Sequence, residues 1–246
     1  MPLPWLDPRN DDQPFPAPNR ALTEPDGLLA AGGSLNPRRL LQAYRQGIFP
    51  WYSSGQPILW WSPNPRLVLF PEGVNLSRSL RKTLRNGPFT VTADAAFGAV
   101  IDACAAPRAP GEGTWITPDM RRAYCRLYRL GHAHSIETWR HGELVGGLYG
   151  VAVGRVFYGE SMFSGASNAS KVALAALATQ LRRWDFALID CQVRTEHLAR
   201  MGAVEMARAT FLQLLDRYCP LPGWDGPWRL DDDLLADLLP PPPAPP

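Results

Sequence analysis

Three features of the 246-residue sequence predict an α+β fold with a small N-terminal domain. The first 65 residues are rich in Pro, Gly and Trp, and after Pro65 the texture changes to alternating helix and strand patterns. Three strand-like segments follow one another between Ala133 and Met162, joined by His141-Gly142 and a step at Gly154, both suited to tight hairpins. A long apolar helical segment then leads into a further strand, Phe186 to Val193. An antiparallel meander, then a helix, then another strand is an α+β plan.

The elements read as follows. Asn36 caps one clear N-terminal helix, with Pro37 at its first position and Gly47 just past its end. Beyond the boundary, Ser77 caps a basic helix that stops before Gly87. Phe89 to Thr92 is a short strand, and Asp94 caps a helix through Cys104. Thr117-Pro118 opens a helix that closes at Gly131. Strands follow at 133–140, 143–153 and 155–162, then a long helix from its cap Asn168 to Arg183, and a last helix, Thr210 to Tyr218. The expected domains are 1–65 and 66–239, with the Pro-rich 240–246 as an extended, solvated tail.

Composition bounds the function. With 46% apolar residues the chain can bury one good core and a smaller second unit. No apolar run approaches the roughly 20 residues that span a bilayer, and the start lacks the pattern of a secretory signal. The four cysteines are widely spaced without a C-x-x-C pair, which reads as reduced thiols in a cytoplasmic protein. Net charge is only +2, but between Glu72 and Asp94 the only charges are Arg78, Arg81, Lys82 and Arg85. A second basic face carries Arg122, Arg126 and Arg129 at helical spacing. Two such faces in a nearly neutral chain point to a local polyanion surface, against the plainer reading of solvated helix faces. Trp51, Trp60, Trp61 and Trp115 lie in Gly/Pro-rich segments where a ring can be exposed for base stacking.

Asp190 and Gln192 stand two apart in an apolar strand, so regular alternation puts them on one face. Glu160 ends another apolar run. A buried acid is expensive unless something uses it, so these strands read as walls of an active site. No phosphate-binding P-loop or dinucleotide pattern is present, and Gly146, Gly147 and Gly150 suggest bulges or close backbone approach. Gly159-Glu160-Ser161 is half of a nucleophile elbow, but Phe163 replaces the second Gly. His132-x-His134 reads as ordinary strand histidines in preference to metal ligands. Arg108 to Gly113 fits the R-x-x-G-x-G pyrophosphate loop of acetyl-CoA enzymes, but it follows a helix where that loop should follow a strand.

These segments taken together resemble the leucyl/phenylalanyl-tRNA protein transferase family. The stretches that carry the resemblance are DGLLAAGG (Asp26 to Gly33), GIFPW (Gly47 to Trp51), PILWWSPNPR (Pro57 to Arg66) and GTWIT (Gly113 to Thr117). They continue with GHAHSIE (Gly131 to Glu137), LVGGLYGVA (Leu144 to Ala152), GESMFS (Gly159 to Ser164) and IDCQV (Ile189 to Val193). The resemblance implies an N-acetyltransferase-like (GNAT-like) larger domain, with a mixed sheet flanked by helices. It implies transfer of Leu or Phe, less readily Met, from aminoacyl-tRNA to an N-terminal Arg or Lys, creating a bacterial N-degron. Neither metal nor cofactor is implied, and a monomer is expected.

The resemblance also implies residue roles. Asp190, Gln192 and Glu160 match the catalytic positions, with Gln192 expected to orient the attacking amine and pass its proton to Asp190. In another version the tRNA ribose hydroxyl carries the proton and Asp190 only polarises the site. Glu160 is expected to fix Gln192 or the amine. Leu148, Phe157, Met162 and Ile189 would wall the side-chain pocket, with Leu148 standing where the family carries Met. Trp51 and Trp115 would hold the 3′-terminal adenosine, supported by Tyr124, and Arg78, Arg81, Lys82 and Arg85 would follow tRNA phosphates. A CoA-dependent N-acetyltransferase and a non-catalytic tRNA-binding protein are the competing readings.

Overall fold

The computed structural model describes residues 3–87, 89–107 and 114–238. The whole of 108–113, with its R-x-x-G-x-G match, and the Pro-rich tail therefore lie outside the described residues. The N-terminal elements are β1 (Trp5–Leu6), β2 (Leu28–Gly32), α1 (Pro37–Arg45), β3 (Phe49–Pro50) and β4 (Leu59–Trp61). Their four strands form one sheet in the order β1-β2-β4-β3. The remainder comprises β5 (Arg66–Leu69), α2 (Arg78–Asn86), β6 (Phe89–Ala93), α3 (Phe97–Ala105) and α4 (Pro118–Arg129). The meander β7 (Ala133–Arg140), β8 (Glu143–Val153) and β9 (Val156–Ser164) follows, then α5 (Ala169–Arg183) and β10 (Leu188–Gln192). The chain closes with α6 (Glu196–Arg200), β11 (Val204–Met206), α7 (Arg208–Tyr218) and α8 (Leu234–Asp237).

Seven strands make the main sheet, in the order β11-β5-β10-β9-β8-β7-β6. Its pairs are antiparallel except β9 and β10, which run parallel because α5 carries the chain back between them. Side-chain alternation splits the apolar residues between two faces. Tyr149, Val151 and Tyr158 pack with α1, α3, α4 and α7, whereas Leu148, Phe157 and Ile189 pack with α5. Helix α5 is buried along most of its length, and its small residues let it lie close to the sheet. A Cβ on Gly146 would sit 2.5 Å from that of Ala169, which is the close approach expected of this strand glycine.

Several caps differ from expectation. Ser77 and Thr117 do cap α2 and α4, each hydroxyl accepting from the N–H three residues on. Asn36 and Asn168 make no side-chain cap bond. Asn168 instead adopts φ +67° and donates to the Thr83 hydroxyl, tying the start of α5 to α2. Asp94 does not cap α3, because its carboxylate accepts from the Ser135 N–H and bonds His134. The free N–H groups at the start of α3, on Ala95 and Ala96, are taken by Glu137 from β7. The short strands β1 to β5 and the helix α6 had no reading in the sequence.

Glu137 is fully buried and also accepts from Thr92 and Ser135. Its carboxylate thus serves four donors, and Glu137→Ala would strand them away from water. Urea denaturation of that variant should show a loss of about 3 kcal/mol, whereas an unchanged midpoint would mean the donors find other partners.

Candidate active site

The candidate site lies where β9 and β10 part. The two strands are in register from Leu188 opposite Val156 to Asp190 opposite Tyr158, and no further. Beyond that point β9 pairs with β8 alone, up to Ser164. Both strands carry a bulge at the fork. Glu160 is the extra residue between the pairs Tyr149–Ser161 and Gly150–Gly159. Cys191 is the extra residue between Asp190–Val68 and Gln192–Leu67. Bulges re-aim side chains, and here the strict alternation expected for Asp190 and Gln192 is broken. Gln192 takes φ +62°, a left-handed conformation that costs a non-glycine residue of order 1 kcal/mol or more.

Asp190 stabilises that conformation. Its Oδ1 accepts the backbone N–H of Gln192 at 2.9 Å, while both carboxylate oxygens are gripped by Arg66, Nε at 2.8 Å and Nη2 at 2.6 Å. Neither side chain has more than 1% exposure. The guanidinium also donates to the Gly47 carbonyl and stacks between the rings of Phe49 and Phe211. An acid held bidentately in this way makes no hydrogen bond to the Gln192 side-chain amide, so the expected proton route from Gln192 to Asp190 is not built.

The Gln192 amide instead donates to Glu160 Oε1 at 3.0 Å. Glu160 closes a ring of oxygens with two buried tyrosines: Tyr44 lies 2.8 Å from Oε1, Tyr124 lies 2.6 Å from Oε2, and the two hydroxyls are 2.6 Å apart. Three contacts need three hydrogens, and each hydroxyl supplies one. An ionised carboxylate supplies none, so a proton on Glu160 completes the ring. Burial, reinforced by the negative charge of Asp190, raises the Glu160 carboxyl to about 7, against the pull of the Tyr124, Tyr44 and Gln192 hydrogen bonds. Burial, then the charge of Glu160, holds the Tyr44, Tyr124 and Tyr149 hydroxyls well above their usual range, so they stay protonated.

A cleft of about 980 Å³ runs through the fork. On the α5 side it is walled by Leu148, Phe157, Met162, Ile189, Leu174 and Leu177, which brings together all four expected pocket residues. On the other side stand Trp51, Trp115, Phe49 and Phe163, with Glu160 and Gln192 between. Trp51 is 44% exposed, whereas Trp60 is fully buried with its indole N–H on the Gly32 carbonyl, which removes it as a stacking surface. Among the described residues Asp190 and Tyr124 do not line the cleft, so the structure sets Tyr124 beneath Glu160 and not beside the two tryptophans. Arg66, Tyr44 and His197 were missed. Arg66 and Tyr44 have no sequence signal beyond their types, and His197 reaches the cleft from the unread helix α6. Its imidazole is held below its usual range, chiefly by burial.

Arg78, Arg81, Lys82 and Arg85 are all exposed on α2, and among the described residues none pairs with a carboxylate. The second basic face is weaker than expected, since Arg122 pairs with Asp119 and the neighbouring Arg121 with Asp102. His134 bonds Asp94 and stacks on Trp228 at 3.7 Å, as a structural histidine would. No group of three metal-ligating side chains occurs among the described residues, and no described helix is long and apolar enough to cross a membrane.

Arg66→Met should cost about 3–5 kcal/mol in urea denaturation, because it leaves Asp190 charged and unpaired. Arg66→Met with Asp190→Leu should regain much of that loss. A double variant no better than the single one would show that the charge is not what the pair balances.

The family model described as "Leucyl/phenylalanyl-tRNA protein transferase" matches residues 68–216, and that of its N-terminal domain matches residues 33–64. A protein from Azoarcus sp., named leucyl/phenylalanyl-tRNA–protein transferase, is 59% identical over 91% of this chain and 96% of its own. One of the same name from Aromatoleum aromaticum is 62% identical over 85% of this chain and 87% of its own. Among solved structures, a GCN5-related N-acetyltransferase from Kribbella flavida covers 70% of this chain and 62% of its own, at 15% identity and a TM-score of 0.32. That likeness is too distant to bear on function. Family models matched over residues 33–64 and 68–216, together with relatives 59% and 62% identical over most of the chain, place this chain in the leucyl/phenylalanyl-tRNA protein transferase family.

Proposed function

We propose that this chain transfers Leu or Phe, and less readily Met, from aminoacyl-tRNA to the N-terminal Arg or Lys of acceptor proteins. The observation that supports this best is the cleft itself, with an apolar cup on one side of the fork, aromatic rings including the exposed Trp51 on the other, and the Glu160–Gln192 pair between. The cup takes the Leu or Phe side chain. Met162 suits guests of different shape, being unbranched and soft. Trp51 and Trp115 flank the 3′-terminal adenosine, and the unpaired cations of α2 follow the acceptor-stem phosphates. Residues 1–65 act as a small domain that lends Tyr44 and Trp51 to the site of the larger one.

The reaction is attack of an amine on an ester carbonyl, with loss of the tRNA 3′-oxygen. Gln192, anchored by Glu160, accepts an N–H of the amine and aims its lone pair at the carbonyl carbon. Glu160 in its ionised form takes the proton that the nitrogen must shed and, now neutral, returns it to the departing 3′-oxygen. A carboxyl near 7 suits that exchange at neutral pH. Asp190 is a positioning residue, acting through the Gln192 backbone. The product carries a bulky apolar N-terminus and would mark the acceptor for the bacterial N-degron pathway.

Labelled leucyl-tRNA, incubated with an acceptor protein beginning with Arg beside one beginning with Gly, tests the reading. Label should appear on the first alone, and label on neither, with tRNA bound and intact, would defeat it. For the proton role, the ratio of the unsubstituted kcat/KM to that of Glu160→Gln should grow as pH rises through about 7. Stability moves the other way. The folded carboxyl holds its proton above the unfolded value of 4.5, so stability falls as pH rises from there to about 7. Relative to the unsubstituted protein, Glu160→Gln should therefore gain on the order of 3 kcal/mol between pH 4 and pH 8. Replacing all four α2 cations by Ala should weaken tRNA binding and flatten the slope of log K against log salt by about 3. An unchanged slope would remove α2 from the tRNA surface.

A further inference from the structure

The cleft wall along β9 is made by Gly159, Glu160, Ser161, Met162, Phe163 and Ser164 without a break. A strand that offers its face to a cavity contributes every second residue, whereas six in a row mean that it offers its edge. The pairing agrees, because β10 leaves β9 after Tyr158 and no described strand replaces it on that side. The direction of the open backbone groups follows from the ladder with β8. The Gly165 N–H donates to the Val145 carbonyl at 2.8 Å, so residues an even number away, Phe163 and Ser161, turn their N–H and C=O groups toward β8. Met162 and Ser164 turn theirs the other way, into the fork.

We propose that this edge is the acceptor-peptide track: the first residues of the acceptor polypeptide bind as an added strand along β9. The inference rests on the transfer reaction proposed above. The free edge begins at Glu160, where the attacking amine must lie, and continues to the exposed end of β9 at Ser164. An acceptor whose N-terminus sits at Glu160 and whose chain leaves by the open end runs parallel to β9. Its main chain meets the N–H and C=O groups of Met162 and Ser164, which otherwise have no strand partner. Main-chain pairing of this kind is blind to side chains, and so allows one enzyme to take many acceptors that share only their first residue.

The test uses the full-length protein, leucyl-tRNA and Arg-Ala-Ala-Ala-Ala-amide, with each backbone amide N-methylated in turn. Arginine amide serves as an acceptor too short to reach the edge. Along an added strand, successive amides face alternately toward and away from β9. Methylation should therefore lower kcat/KM at least tenfold at alternate positions, through KM and not kcat, and leave the intervening positions nearly unchanged. The pentapeptide should also exceed arginine amide in kcat/KM. A flat methylation profile, with the pentapeptide no better than arginine amide, would overturn the track while leaving the transfer reaction intact. No transfer to any acceptor, arginine amide included, would instead overturn the reaction itself.

Discussion

The buried pair of Arg66 and Asp190 is the constraint on which the site depends. It joins the first residue of β5 to the centre of β10 and leaves neither charge a route to water. Such a pair gains little net stability against a well-packed apolar substitute, because desolvation consumes most of the attraction. Its return is geometric. With Arg66 gripping both oxygens, Oδ1 is fixed where it meets the Gln192 N–H, and the bulge that turns Gln192 into the fork is held against its own strain. The same guanidinium reaches the Gly47 carbonyl, so the loop carrying Trp51 is set relative to the sheet by the group that sets Gln192.

Glu160 is governed by a second constraint, the number of hydrogens available to it. The three contacts of 2.6–2.8 Å among the Tyr44 and Tyr124 hydroxyls and the two Glu160 oxygens can all be hydrogen bonds only when the acid is neutral. Ionisation leaves one contact without a hydrogen, in a place water does not reach. Burial and hydrogen counting therefore act in the same direction, and the acid sits near the pH at which it can both take and return a proton. The neutral tyrosines around it add no charge that would disturb that balance.

The forked sheet makes the rest possible. Two parallel strands that separate open a passage between the faces of the sheet, so an apolar cup against α5 and an aromatic shelf beneath the N-terminal elements share one opening. Reacting groups at the vertex meet both. Bulges at Glu160 and Cys191 stand on either side of the fork, where regular pairing has to end.

Long, strongly patterned elements were legible in the sequence. The bounds of β7 and β8 coincide with those read from alternation, and α4 and α5 from caps and apolar runs came within a residue or two. The four pocket residues came from the family resemblance and not from alternation, since the bulge at Glu160 breaks the period that would relate Phe157 to Met162. Strands of two to four residues, such as β1 and β5, carry too few alternations to show a period. The sequence could not show that Asp94 bonds β7 while Glu137 serves the start of α3, because each donor and acceptor comes from a distant part of the chain. By itself the sequence determined the fold class and the acids worth watching, which follow from local periodicity. Only the tertiary structure decided that Gln192 faces Glu160 and that Asp190 belongs to Arg66. Those pairings join residues 32 and 124 positions apart, and a bulge that reverses alternation leaves no mark in composition.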